Sequence, residues 1–195
     1  MLRTSLVTAP VDIPIALDPI KDEFRITGSQ EDNVIIRCIK AAVSYAENYT
    51  ETKIMTQTWD YYKDDFPIGM IYVPYPPIQS ITHIKYYDSD EVLQTLSTAE
   101  YRTDLVSQPA RIEYVNSWPT NYDRVNAVNI RFISGYTARH LVPQNIKDAI
   151  ILLAADFYEN RQNSTIVMGP LSKMERTITA NNLLDFHKLF NPVTQ

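Results

Sequence analysis

The stretch PQNIKDAIILLAADFYENR, Pro143 to Arg161, is the strongest helix signal in the chain. Pro143 stands where a helix accepts proline, in the first turn, because the N–H it lacks would have had no intrahelical partner. On a 3.6-residue period Ile146, Ala149, Ile150, Leu153 and Phe157 form one apolar stripe. Ile151 and Leu152 fall well off that stripe, so more than one side of the helix asks for burial. The pattern is that of a central helix.

Its partner is upstream. Ile35, Cys38, Ala42, Tyr45 and Tyr49 recur at helical spacing, with Ile36, Ile39 and Val43 beside them, which predicts a long helix to about Thr50. Ser29 and Asp32 have the spacing of a capping box at its start. Before it, Asp18-Pro19 reads as an N-cap followed by Pro at the first helical position. Leu17, Ile20 and Phe24 form the buried side of a short helix ending near Gly28. Residues 1–15, with Pro10 and Pro14, read as an extended arm.

Between these helices the period changes to two. Thr56 to Tyr62, Met70 to Val73, Ile81 to Tyr87, Glu100 to Thr103, Arg111 to Val115 and Ala127 to Ile133 are rich in β-branched and aromatic residues. Pro67 with Gly69, Pro74 to Pro77, Asp88-Ser89-Asp90, Gln108-Pro109 and Trp118-Pro119 separate them with turn chemistry. Gly135 lets the chain leave the last strand. After Arg161 the pair Gly169-Pro170 marks a hinge, and Asn181 to Phe190 restores a short apolar helix that Pro192 stops. The expected fold is α+β: a helical core of two long helices, an inserted antiparallel sheet or sandwich, and a C-terminal docking helix. Residues 1–53 hold the arm and core helices, 54–136 the β portion, 137–162 the central helix and 163–195 the linker and docking segment, within one domain overall.

Composition narrows the classes. With 195 residues, 45% of them hydrophobic, the chain is long enough to bury a sizeable core. Its formal charge is -5 and it has no Lys/Arg block, which argues against nucleic acid as a tight ligand. Cys38 is the only cysteine, so neither an internal disulfide nor a Cys-based zinc site can form within the chain, and a reducing compartment fits. There is no run of roughly 18 apolar residues to span a bilayer, and residues 1–17 lack a signal-peptide pattern, so the expectation is synthesis in the cytosol and no membrane partner. The four glycines form neither a GxGxxG nor a GxxxxGK pattern.

Chemistry is sparse. His83, His140 and His187 are isolated, with no HxH, HExxH or HxxxH spacing. Asp64-Asp65 and Asp88-Ser89-Asp90 read as solvated turns, since the Gly and Glu of a calcium loop do not follow Asp88. No GxSxG elbow presents a serine. Trp59, Tyr61, Tyr62, Tyr72, Tyr75, Tyr86 and Tyr87 could form a stacking platform, but basic residues to track a nucleic-acid backbone are few between them, which favours aromatic core. Cys38, in the middle of an apolar face, reads as a buried thiol. No catalytic, cofactor or metal residues are assigned.

One resemblance carries the function. Leu17, Lys21, Phe24-Arg25-Ile26, Glu31-Asp32, Ala41-Ala42, Tyr45, Glu47, Tyr49-Thr50 and Gln57-Thr58-Trp59 stand in an order that resembles the head-to-tail adaptor (connector) proteins of long-tailed bacteriophages and related gene-transfer particles. Pro76-Pro77-Ile78, Ile84 to Asp88, Pro109 to Ile112, Trp118-Pro119, Ser134 to Tyr136, Val142-Pro143, Ile146-Lys147 and Tyr158 to Arg161 continue it. The resemblance spans about Leu17 to Arg161. It implies a helical core with an inserted β portion and a non-enzymatic subunit without cofactor. It also implies a dodecameric homo-oligomeric ring in the virion neck, made in the host cytoplasm, between the portal protein and a downstream neck, stopper or tail protein. DNA would be only passing cargo, and the acidic balance would suit a channel through which it slides without sticking.

Two surfaces then follow as expectations. Ile151, Leu152 and Ala155, with Ala154, would meet a neighbouring subunit. Ile166, Val167, Met168, Leu183, Leu184, Phe186 and Phe190 would dock on the portal. The rival classes are a β-rich binding module for carbohydrate or host receptor in a virion, and a small hydrolase.

Overall fold

The computed structural model describes residues 3–159 and 170–189, and its class is α+β, four helices with two antiparallel sheets. The described residues divide into two compact units, one of residues 3–11, 55–136 and 189, the other of residues 12–54, 137–159 and 170–188.

The first unit is built of strands. They are β1 (Arg3–Thr8), β2 (Gln57–Lys63), β3 (Ile71–Val73), β4 (Ile78–Tyr87), β5 (Leu93–Thr95), β6 (Tyr101–Asp104), β7 (Ala110–Tyr114) and β8 (Val128–Ser134). One sheet runs in the order β1-β2-β8-β4-β5, the other β3-β7-β6. All six runs expected as strands are strands. The residues read as an arm supply a seventh, β1, and β5 is an eighth that three residues, LQT, were too few to announce.

β8 is the centre of this unit. Its sequence VNIRFIS alternates strictly, so Val128, Ile130 and Phe132 point to one face and are fully buried. Both its edges are paired, with β2 from Gln57↔Ser134 to Lys63↔Val128 and with β4 from Ile78↔Ser134 to Tyr86↔Val128. Ile84 of β4, Ile71 and Val73 of β3 and Ile112 of β7 complete a core shared by both sheets. On the opposite face of β8, Arg131 donates from Nε and Nη2 to the two oxygens of Asp60, each at 2.8 Å. This bidentate pairing holds the Asp60 carboxyl below its ordinary value against the opposing effect of burial. β4 departs from clean alternation because its pairing with β8 shifts register between Ile78 and Ser80 and again between Ile81 and His83.

Gly135 follows β8 with φ +93°, and a Cβ there would lie 2.3 Å from the Met55 carbonyl oxygen. The close approach is fixed by the Met55↔Tyr136 bridge and by Gly135 N–H donating to Pro77 O at 2.9 Å. Only glycine satisfies both the backbone angle and the space.

The second unit contains α1 (Leu17–Phe24), α2 (Asp32–Thr50), α3 (Gln144–Glu159) and α4 (Pro170–Asp185). α3 packs on both α2 and α4, the central position expected for it. Ile146, Ala149, Ile150 and Leu153 are buried there, facing Ile35, Cys38, Ile39, Ala42 and Ala46 of α2 as core. Cys38 is a buried free thiol.

Helix ends differ from expectation, most of all in α4, which runs Pro170–Asp185 where a short helix was expected over Asn181 to Phe190 after a linker. α1 starts after Ala16, with Asp18 in its first turn and Pro19 third, where the missing N–H is still one that no helical carbonyl would take. It stops at Arg25 rather than Gly28, because Arg25 adopts φ 54° and the N–H groups of Arg25 and Ile26 return to Asp22 O and Lys21 O. α2 starts at Asp32 without a side-chain cap. Asp32 does not form the reciprocal box with Ser29, because its carboxylate is drawn to Lys21 Nζ at 2.6 Å.

Gly135→Ala is expected to cost about 3 kcal/mol or more, from strain plus a backbone clash, whereas Gly69→Ala, with open space around its Cβ position, should be near neutral. Urea denaturation of the two variants checks the contrast.

Candidate functional site

Among the described residues no group of three or more His, Cys, Asp or Glu side chains is placed to hold a metal ion. No helix among them is long and apolar enough to cross a membrane. The acidic clusters organise loops. Asp88 Oδ1 accepts from the N–H groups of Asp90 and Val92, both at 3.0 Å, and Oδ2 from Gln94 Nε2 at 2.7 Å, shaping the β4–β5 turn. Asp64 accepts from Arg3 and from Asn126 N–H, and the Asn126 bond is the main cause of its lowered pKa. His83 lies with Nε2 3.3 Å from Asn129 Oδ1, and burial pushes its pKa down.

The aromatic residues that favoured a core reading over a stacking platform are dispersed. Tyr61 is core, Trp59, Tyr75 and Tyr86 pack against that core, and Tyr72 is exposed. A tighter aromatic group forms elsewhere in the β unit, where the rings of Phe66 and Trp118 stack at 4.9 Å and Tyr114 leans on Trp118 at 5.2 Å. They border an open cleft of about 530 Å³. The stacked faces of Phe66 and Trp118 cover each other, so they do not present a free platform for a sugar. Trp118-Pro119 read only as a turn in sequence.

The features that fit assembly lie in the helical unit. Ile151, Leu152 and Ala155 on α3 are half-exposed, neither enclosed nor free, whereas Ala154 is fully buried and does not belong to that surface. Helical geometry is the reason: Ala154 follows Ile150 by one turn, on the side covered by the core.

α4 is seated by two kinds of contact. Ala180 and Leu184, one turn apart, are fully buried. Leu184 is therefore an anchor to this chain's own core and not an exposed docking residue. Beside them Tyr45 Oη donates to Asn181 Oδ1 at 3.1 Å and Tyr49 Oη to Asp185 Oδ1 at 2.7 Å. Tyr45 and Tyr49 are one turn apart on α2 and stack with rings 6.2 Å apart, so their hydroxyls match the one-turn spacing of Asn181 and Asp185. From α3, Asn145 Nδ2 donates to Leu183 O at 3.4 Å, and Asn145 Oδ1 lies 2.9 Å from His187 Nε2. Tyr45 and Tyr49 looked in sequence like part of an apolar face. The signal that would have revealed the latch is the matched i, i+4 spacing on both helices. Beyond it Leu183 is half-buried and Phe186 is 85% exposed. Ile166, Val167, Met168 and Phe190 lie outside the described residues, as does the Gly169 end of the expected hinge.

Comparison with known proteins agrees with this architecture. The family model for phage gp6-like head-tail connector proteins matches residues 14–107. No curated protein sequence matches the chain. Among solved structures, a chain in the neck of an empty gene transfer agent particle, computed with C6 symmetry, matches with TM-score 0.77 at 20% identity, covering 99% of this chain and 98% of that one. A chain in the virion of a native gene transfer agent particle matches with TM-score 0.77 at 19% identity, covering 98% of each chain. One in the neck of the native particle computed with C12 symmetry matches with TM-score 0.70 at 20% identity, covering 100% of this chain and 98% of that one. Helices α1 and α2 and strands β2 to β6 thus carry the similarity to the head-tail connector family model, and nearly the whole chain shares its fold with the neck subunits.

Two titrations bear on the α4 seat. The hydrogen bond to Asp185, with desolvation, raises the Tyr49 pKa above its ordinary 10.0, so its contribution is present below pH 10 and is lost as pH rises through the raised value. Burial lowers the His187 pKa below 6.5, so its contribution is present above pH 6.5 and is lost as pH falls through the lowered value. Protection of the amides in residues 178–185, taken relative to their intrinsic exchange rate at each pH, is expected to be greatest between those limits. The double change Tyr45→Phe with Tyr49→Phe should speed that exchange at pH 7.5 by roughly tenfold, from two lost hydrogen bonds.

Proposed function

We propose that this chain is a structural, non-enzymatic subunit of a virion neck, assembling as a ring that joins the portal to the next neck or tail protein. The observation that carries the reading is the fold match along nearly the whole chain to subunits of particle necks, both of them symmetric assemblies. A ring of twelve copies is the reading the C12 neck supports, with DNA as cargo through its channel.

In such a ring each copy presents one surface to the next and a different surface to the one before. The half-exposed Ile151, Leu152 and Ala155 on α3 are the proposed contact between neighbours. The portal contact is assigned to the end of α4 and the residues flanking that helix. Phe186, 85% exposed just past α4, is its described aromatic anchor, and Leu183 lies half-buried beside it. Ile166, Val167, Met168 and Phe190 complete the proposed patch. The described part of α4 is held by Ala180 and Leu184 and by hydroxyl and amide contacts, and a partner that replaces those contacts can draw it from its seat.

Native mass of the purified protein, alone and with its portal, tests the ring. Ile151→Glu is expected to keep the fold, judged by circular dichroism, while the oligomer disappears; an unfolded variant would instead assign Ile151 to the internal core. Phe186→Ala should leave thermal stability within about 0.5 kcal/mol, as for an exposed site, and weaken portal binding by tenfold or more, as for an interface anchor. Unchanged binding would reject the docking assignment.

A further inference from the structure

β1 is an edge strand. Edge strands are ordinarily blunted with lysine, proline or a bulge that turns them from water. β1, RTSLVT, contains neither lysine nor proline; its pairing with β2 shifts register between Leu6 and Thr8, and it leaves Leu6 46% and Val7 43% exposed. Only Thr4 is half-buried, its Oγ1 3.0 Å from Tyr75 Oη. Burial of side chains therefore contributes little to holding it. What holds it is the antiparallel pairing with β2, from Arg3↔Tyr62 to Thr8↔Thr58, and the Arg3–Asp64 ion pair.

Those contacts are indifferent to whether both strands belong to one molecule. Nothing short ties β1 to β2, since all of residues 12–54, the first part of the helical unit, stands between them. The connection from Ala9 to Ala16 has neither helix nor strand and contains Pro10 and Pro14, which keep it extended. Within it residues 12–15 are tied to the helical unit, with Arg139 donating from Nε to Ile13 O at 2.8 Å and from Nη2 to Asp12 at 3.1 Å and with Ile15 buried, so the free span is Ala9 to Val11, about 10 Å.

We propose that β1 is exchanged around the ring, each copy laying its Arg3–Thr8 strand on β2 of the next copy. Exchange keeps every hydrogen bond seen within one chain, and a closed ring leaves no strand unpaired, because every copy gives one and receives one. It would also add a clamp between neighbours that does not depend on α3. The partner is thus a second copy of this chain, and the inference rests on the ring reading above.

The test uses Thr8→Cys with Thr58→Cys, directly opposed residues on β1 and β2. Cys38, the chain's one other thiol, is buried. The protein is oxidised mildly, once as dilute monomer and once as an oligomer whose size native mass has confirmed, and is run on a denaturing gel without reductant. The monomer is expected to bridge within the chain. The oligomer is expected to lose the single-chain band to a covalent ladder of dimers and larger species. Confirmed oligomers that keep only the single-chain band would overturn strand exchange and leave the ring intact. A chain that stays monomeric at every concentration and with portal present would overturn the ring, and exchange with it. Deletion of residues 2–8 gives an independent reading: the oligomer should dissociate at higher protein concentration than the full chain does, and an unchanged dissociation profile would overturn the proposal.

Discussion

A helix that is apolar on more than one side cannot be satisfied by one neighbour, and that constraint shapes the helical unit. α3 buries Ile146, Ala149, Ile150 and Leu153 and packs on both α2 and α4, yet Ile151, Leu152 and Ala155 remain half in water. Apolar surface left after both neighbours have packed is energetically useful only if something else covers it. The same unit holds α4 against α3 and α2, and among its described side chains Ala180 and Leu184 supply buried apolar contact beside the tyrosine and asparagine hydrogen bonds.

The β unit is organised differently. β8 is paired along both edges and buries its inner face completely, which makes it rigid. The acidic side chains around it are absorbed in holding turns. Asp104, whose pKa is depressed first by the Ser107 hydroxyl and then by Arg111, shapes the β6–β7 turn as Asp88 shapes the β4–β5 turn. Carboxylates committed in this way have stable charge and occupied lone pairs, a poor starting point for acid–base work. The β unit therefore offers a rigid core and the outer edges of two open sheets.

Much of this was legible in the residues. The strict alternation of β8 and the 3.6-residue spacing in α2 and α3 are periodic signals carried by many side chains, and both elements occur where those signals lie. Gly135 announced the exit from β8, and Cys38 its own burial. Signals resting on one or two residues were weaker. Asp18-Pro19 and Ser29 with Asp32 matched capping patterns, but Lys21 took the Asp32 carboxylate and Arg25 entered the left-handed region early. β1 was legible as extended and not as paired, because pairing depends on an edge that a distant β2 supplies.

By itself the sequence determined the two long helices and six of the strands, the apolar face of those helices and of β8, and the order of short motifs that resembles head-tail connectors. These are local properties, set by side-chain spacing along the chain. Tertiary structure decided which apolar residues remain uncovered, that Leu184 and Ala154 turn inward while Phe186 turns outward, and that Tyr45 and Tyr49 meet Asn181 and Asp185. Such outcomes depend on which elements become neighbours. Contacts between residues more than a hundred positions apart leave no trace in the spacing of either segment.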